Sequence, residues 1–248
     1  METEAREDAM HGRGGERGGE SPVQAGPRRR GMWPAAYIRR SLYLYAVTER
    51  SGLWNSQLPL PAAVEAAIRG GASFVQLREK HATADEIRAL AGEILPICRA
   101  AGVPFVIDDE VELALEVGAD GVHVGQSDMA CAAAREKLGP NKIVGVSAQT
   151  VEEALAAQAA GADYLGVGAL YPTPTKPDAV DVTFGELARI CAAVDIPVVG
   201  IGGLHASTVA PLAGTGVAGA AVVSDLFSAT DPETAARTLA AELHRVLG

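Results

Sequence analysis

The sequence predicts an α/β fold of the (β/α)8 TIM-barrel type, in which eight parallel strands close into a cylinder sheathed by helices. Three observations carry this expectation. Eight short apolar runs alternate with longer Ala-, Glu- and Arg-rich stretches of helical period. The runs are continuously apolar rather than alternating, as strands of a parallel sheet covered by helices must be. A small-residue helix end also recurs directly before a strand, in GGASFVQL, AAGVPFVI, VGADGVHV and AAGADYLGV. Glycine just past a helix end suits a left-handed cap.

The elements follow in order. Strands are expected at 42–47, 73–77, 104–107, 121–125, 143–147, 164–169, 197–202 and 219–224. Helices are expected at about 61–70, 83–101, 110–118, 130–138, 150–160, 183–194, 206–214 and 231–247. Thr83 with Glu86, and Thr150 with Glu153, have the spacing of capping boxes, and Asp231 followed by Pro232 puts proline in a first helical turn. Eight such units fit a closed barrel better than an open doubly wound sheet. No GxGxxG follows the first strand and no GxxxxGK[ST] occurs, so the usual dinucleotide and P-loop signatures are missing.

At 248 residues the chain has the length of one barrel, and 48% hydrophobic against 21% charged residues is ordinary globular usage. The first 36 residues differ: they are rich in Gly, Arg and Glu without apolar periodicity, so 1–36 is expected to be a disordered tail and 37–248 the barrel domain. A formal charge of −10 and 4% aromatics argue against nucleic acid, which calls for basic surfaces or stacking platforms. Cys98, Cys131 and Cys191 are odd in number, widely spaced and without a CxxC, which excludes a disulfide scaffold or a zinc site. No apolar run approaches the ~20 residues of a membrane span, and no h-region follows the N-terminal charges. The expectation is a cytoplasmic enzyme of small molecules with no membrane partner, and a homo-oligomer is left open.

In this fold, chemistry sits at the C-terminal ends of the strands. After the second strand, Gln76, Arg78 and Lys80 lie at i, i+2 and i+4 and share a face, while Val75 and Leu77 face the helices. Two cations and an amide aimed into a barrel mouth suggest an anion site; a strand end fraying into solvated loop is the plainer alternative. The third strand ends in Asp108 and Asp109, and Asp128 follows the fourth. Carboxylates beside a basic face suit Mg2+, which takes one or two of them plus substrate phosphate oxygens. Taken singly, Asp109 and Asp128 also fit helix capping. Ser147 ends the fifth strand, and the sixth runs into Thr173, Pro174, Thr175 and Lys176, a semi-rigid loop suited to an oxyanion or a simple connection. Gly203 after the seventh strand, with Val223 and Ser224 ending the eighth, occupies the usual phosphate position of the fold. His123, inside the fourth strand, is read first as a hydrogen-bonded core residue.

The residues thus outline two anion sites: a diphosphate site of Arg78, Lys80, Lys176 and Mg2+, and a monophosphate site of backbone and hydroxyl groups. With no nucleophile–base pair in evidence, catalysis by positioning and charge neutralisation is expected.

In VQLREK (75–80), IDDEVELAL (107–115), ADGVHVGQSD (119–128), GVSAQT (145–150), PTPTK (172–176), GIGG (200–203) and VVS (222–224), the chain resembles the thiamine-phosphate synthase (thiamine-phosphate pyrophosphorylase) family over about residues 42–246. The resemblance implies a transferase joining 4-amino-2-methyl-5-hydroxymethylpyrimidine diphosphate to 4-methyl-5-(2-hydroxyethyl)thiazole phosphate, releasing thiamine phosphate and diphosphate. It implies that Gln76, Leu77, Arg78, Glu79, Lys80, Asp108, Ser147 and Lys176 contact the pyrimidine diphosphate, with Arg78, Lys80, Ser147 and Lys176 catalytic. It further implies that Asp109 and Asp128 hold Mg2+, and that Thr173, Pro174, Thr175, Gly203, Val223 and Ser224 surround the thiazole phosphate. One departure stands out: the family commonly has Asn-Asp where this chain has Asp108-Asp109. Asp108 is then a further metal ligand, a protonated carboxyl or a side chain turned away. Two other functions are weighed against the transferase: a thiazole tautomerase-like isomerase using His123, and a non-catalytic phosphate-ligand binder. The isomerase does not need the basic second-strand face, both carboxylates and Lys176 together.

Overall fold

The computed structural model describes residues 33–50, 58–125, 130–173 and 181–248. Strands β1 (Leu44–Val47), β2 (Phe74–Leu77), β3 (Phe105–Asp108), β4 (Gly121–Val124), β5 (Ile143–Ala148), β6 (Tyr164–Val167), β7 (Val198–Ile201) and β8 (Gly219–Val222) alternate with the helices. These are α1 (Ala35–Ser41), α2 (Leu60–Gly70), α3 (Ala84–Ala101), α4 (Val111–Val117), α5 (Cys131–Leu138), α6 (Val151–Ala159), α7 (Phe184–Ala193), α8 (Ser224–Phe227) and α9 (Pro232–Leu247). Every strand pairs in parallel with its sequence neighbour, and β8 returns to β1 with Tyr45 opposite Ala221, closing the expected (β/α)8 barrel.

The outward residues of the strands, such as Val75, Leu77, Ile107, Val122 and Val144, pack with Ile94, Leu95, Leu187 and Leu239 of the helices in one buried layer. A second, smaller core fills the cylinder: Tyr45, Phe74, Val106, Ile143, Tyr164, Val199 and Ala221. Three of its rings meet edge to face, Tyr45 with Phe74 at 4.6 Å, Phe74 with Tyr164 at 5.4 Å and Tyr45 with Tyr164 at 5.9 Å between centroids. Such bulk fits only because neighbouring inward positions carry glycine. A Cβ on Gly145 would lie 2.1 Å from Cζ of Tyr164.

Helix α1 is a departure from the sequence reading, because it opens at Ala35, within the stretch read as tail. Its Ile38, with Leu42, completes the inner core. Tyr37 Oη donates to the Gly102 carbonyl at 3.0 Å and Trp33 Nε1 to the Asn141 carbonyl at 3.2 Å, both just before strands. The helix therefore stops the N-terminal end of the cylinder with apolar side chains, and the polar end is left opposite.

The helix starts follow their caps. Thr83 and Glu86 form the full reciprocal box. Thr150 accepts from the Glu153 amide, but Glu153 reaches back to the Gln149 amide at 2.7 Å, so this box closes one residue early. Asp231 accepts from the amides of Glu233 and Thr234. The helix expected at 206–214 is a correction: only a 3-10 turn forms, at Ala210–Leu212. Pro211 has no amide hydrogen to give, and Gly214 and Gly216 turn the chain with positive φ directly after it. The four-residue α8 was not foreseen. Among the described residues no helix is long and apolar enough to cross a membrane.

Replacing Gly145 by Ala is expected to lower unfolding stability by about 1–3 kcal/mol, the usual result of overpacking a filled interior. A urea midpoint equal to wild type would contradict the packing described.

Candidate active site

The C-terminal rim gathers most of the residues singled out in the sequence. β2 delivers them in alternation. Gln76 points into the cylinder, where its Nε2 donates to Tyr45 Oη at 2.6 Å. The Leu77 side chain packs in the outer core, so only its backbone is offered to the mouth. Arg78 lies at the rim, paired with Glu49 and 3.6 Å from Asp108. Lys80 pairs with Asp108 at 3.1 Å and also with Asp109. Glu79 turns elsewhere: it accepts from Thr48 Oγ1 at 3.0 Å and from Arg50 Nε at 2.9 Å. Its placement makes it a brace between the β1 and β2 ends rather than a side chain aimed at an anion.

Two features beyond the sequence reading hold this basic face. Thr48 accepts from the Arg78 amide at 3.0 Å and donates to the Arg78 carbonyl at 3.2 Å, locking the chain just past β2 to the end of β1. Glu49, only 4% exposed, is a buried counterion to the Arg78 guanidinium. Its signal in the sequence was an acidic residue following one strand beside a basic residue following the next.

At the end of β3, the two carboxylates diverge in backbone. Asp109 sits at φ 60°, a left-handed conformation uncommon for a residue with a side chain, with its amide donating to the His123 carbonyl at 2.8 Å. Burial pushes the Asp108 carboxyl up to about 6, with the Asp109 charge adding and Lys80 and Arg78 opposing. For Lys80, burial works against the charged form, but the attraction of Asp108 and Asp109 outweighs it and the ammonium is held above its ordinary range. Asp108 is thus neither turned away nor isolated; it is the shared counterion of both cations.

Across the barrel, Ser147 on β5 meets Nε2 of His123 at 3.1 Å, and Nδ1 of His123 meets Tyr164 Oη at 3.0 Å. At the other side of the rim, Gly202 and Gly203 follow β7 with φ of 98° and 63°. A Cβ at Gly203 would come within 2.6 Å of Tyr171 Cβ, so this turn needs glycine for space as well as for conformation. Val223 and Ser224 follow β8, Val223 partly buried and Ser224 exposed at the start of α8. Thr173 is the last described residue after β6, and Tyr171 behind it is tied to the β7 side by a hydrogen bond from its Oη to the Thr208 carbonyl at 3.2 Å.

Asp128, Pro174, Thr175 and Lys176 lie outside the described residues, as does most of the 171–180 segment. Among the described residues no three His, Cys, Asp or Glu side chains cluster as a metal site. What the rim does supply is adjacent hard carboxylate oxygens on Asp108 and Asp109 beside two cations, a donor set that suits Mg2+ shared with a phosphorylated ligand.

Comparison with known proteins agrees with this geometry. The family described as "Thiamine monophosphate synthase" matches residues 44–226. The "Thiamine-phosphate synthase 2" of Streptococcus pneumoniae serotype 4 is 44% identical over 209 residues, covering 84% of this chain and 99% of the relative. The "Thiamine-phosphate synthase" of Ruminiclostridium cellulolyticum is 47% identical over 196 residues, covering 79% and 92%. Among solved structures, the "Thiamine phosphate pyrophosphorylase" of Pyrococcus furiosus superposes with a TM-score of 0.77 at 36% identity, covering 85% of this chain and all of that one. A 3-hexulose-6-phosphate synthase at 21% identity and a TM-score of 0.58 shares the fold.

The Asp108 shift makes a stability prediction. Its folded pKa, about 6, lies above the ordinary 3.8, so the folded protein keeps a proton that the unfolded chain releases. The associated stabilisation is present below pH 3.8 and is lost as pH rises through about 6. Asp108→Asn is therefore expected to remove that part of the decline in unfolding free energy across this window, measured by urea titration without ligands; an unchanged slope would contradict it.

Proposed function

The chain belongs to the thiamine monophosphate synthase family, and from that premise we propose how its residues perform the reaction. The enzyme condenses 4-amino-2-methyl-5-hydroxymethylpyrimidine diphosphate with 4-methyl-5-(2-hydroxyethyl)thiazole phosphate, giving thiamine phosphate and diphosphate. The observation that carries the assignment of roles is the convergence of Arg78 and Lys80 on one rim, both already engaged by carboxylates.

The pyrimidine diphosphate lies over β2, β3 and β5. Arg78 and Lys80 bind its phosphates, with Lys176 added from the loop after β6, and Gln76 and Ser147 contact the ring. The carbon–oxygen bond to diphosphate breaks at an electron-rich heteroaryl-methyl carbon, and the three cations stabilise the leaving charge as it develops. The thiazole nitrogen then captures the delocalised cation. The phosphate of that second substrate is held by the Gly203 turn and by Val223 and Ser224, with Thr173, Pro174 and Thr175 of the loop after β6 as its further contacts. The site must exclude water, which competes for the cation. Neither step calls for a protein base.

Asp109 and Asp128 would hold Mg2+, with Asp108 joining directly or through water. When bound, Mg2+ would supply charge neutralisation to the departing diphosphate. Asp108 in place of the usual asparagine gives the rim a counterion shared by both cations. The isomerase alternative does not need the basic β2 face, and both it and the binder are set aside because the similar proteins are thiamine-phosphate synthases. The reading keeps small phosphorylated molecules as the partners and the cytoplasm as the location.

Incubating both substrates with Mg2+ is expected to yield thiamine phosphate and diphosphate in equal amounts; absence of either product would defeat the reading. Lys176→Ala is expected to lower turnover by at least ~100-fold, the scale for removing one preorganised electrostatic group. A near wild-type rate would remove Lys176 from the mechanism. Asp108→Asn is expected to change the Mg2+ concentration dependence of the rate, and an unaltered dependence would exclude Asp108 from the metal shell.

A further inference from the structure

The floor of the mouth is a continuous hydrogen-bonded chain that crosses the barrel from β2 to β5. Gln76 Nε2 donates to Tyr45 Oη at 2.6 Å, Tyr45 Oη and Tyr164 Oη are 2.7 Å apart, Tyr164 Oη meets His123 Nδ1 at 3.0 Å, and His123 Nε2 meets Ser147 Oγ at 3.1 Å. The two tyrosines are fully buried, and burial drives their ionisation far above the ordinary phenol range, so each hydroxyl keeps its one proton. A phenol with one proton that accepts from one neighbour must donate to the other, or leave a buried group unsatisfied.

Polarity set at one end therefore runs to the other. With the Gln76 amide donating, Tyr45 donates to Tyr164 and Tyr164 donates to Nδ1 of His123. His123 then accepts at Nδ1 and carries its proton on Nε2, donating to Ser147 Oγ. The same geometry leaves the Gln76 carbonyl oxygen for the mouth. The only fully buried side-chain oxygen or nitrogen without a partner among the described residues is Tyr43 Oη, so Oε1 of Gln76 is not a sealed-in atom.

We propose that this Tyr45–Tyr164–His123 chain is a specificity device that fixes Gln76 as a hydrogen-bond acceptor toward the ligand ring. The complementary ligand is a heteroaromatic ring with an amino donor, as a 4-aminopyrimidine has. A 4-oxo ring reverses that pattern and meets an acceptor with an acceptor. Tyr45, Tyr164 and His123 are positioning residues that never touch the ring. The inference rests on the reading above that Gln76 and Ser147 contact the pyrimidine.

Two measurements test it. In ligand-free wild-type protein labelled with nitrogen-15 histidine, and assigned with a His123→Gln variant, His123 is expected to carry its proton on Nε2 and to accept at Nδ1. A proton on Nδ1 overturns the polarity, and this readout does not depend on any tyrosine variant folding. In steady-state assays the wild type is expected to prefer the 4-amino over the 4-oxo pyrimidine diphosphate by at least ~100-fold in kcat/KM, as sites built around a buried hydrogen-bonding group do. Tyr45→Phe and Tyr164→Phe, by freeing the Gln76 amide to rotate, are expected to shrink that preference at least ~10-fold, within the range for losing one oriented hydrogen bond. The loss should fall on KM for the pyrimidine and leave KM for the thiazole phosphate unchanged. The intrinsic reactivity of the two rings cancels when preferences are compared between proteins. An undiminished preference in folded variants overturns the proposal. A wild type that forms no thiamine phosphate overturns the functional reading instead, while the His123 tautomer still reports the chain.

Discussion

The pairing of β8 with β1 is the constraint on which the other features depend. Once the sheet closes, alternate residues of every strand must enter a cylinder of fixed volume. This chain fills the lower part with Tyr45, Phe74 and Tyr164 and stops the end with Ile38 and Leu42 of the α1 region. Polar residues are then left a single outlet, the C-terminal rim. The glycine at 145 is part of the same constraint, since the Tyr164 ring occupies the volume a side chain there would need. Pairing in sequence order puts β2 between β1 and β3, which is why Glu49 and Asp108 flank Arg78.

The rim is acidic and basic at once. A chain with a formal charge of −10 binds polyanions only by concentrating its cations, and Arg78 and Lys80 are so concentrated. Without ligand they are neutralised by Glu49, Asp108 and Asp109. These interactions keep the side chains in place before substrate arrives, so less ordering is needed on binding. Asp108 itself is largely withdrawn from water, and withdrawal from water is the condition under which charge neutralisation is most effective.

Much of this was legible in the sequence because barrel periodicity is a local signal. Gln76, Arg78 and Lys80 at alternate positions declared their common side, and the continuous apolar runs declared the strands. The failures came from tertiary effects. Helix α1, whose first two residues fall in the stretch read as tail, was not foreseen because its seven residues AAYIRRS carry too little periodicity to register; its apolar face is revealed only by the open barrel end it fills. Pro211 and the following glycines outweighed the helical look of 206–214. Glu79, grouped with its neighbours in the motif, turns its side chain toward Thr48 and Arg50, the side that alternation gives it. The chain through Tyr45, Tyr164 and His123 joins residues up to 119 positions apart and has no local signature. His123, read singly as a satisfied core histidine, is satisfied by that chain.

The central claim is that the paired cations of the rim form a diphosphate site completed by Mg2+. Calorimetric titration of inorganic diphosphate into the protein tests it without requiring turnover. The account predicts one site per chain, binding that strengthens when Mg2+ is present, and at least a ~10-fold loss of affinity in Arg78→Ala, in line with removing a charged hydrogen-bonding group. Binding that is indifferent to both Mg2+ and Arg78, or no binding at all, would contradict it.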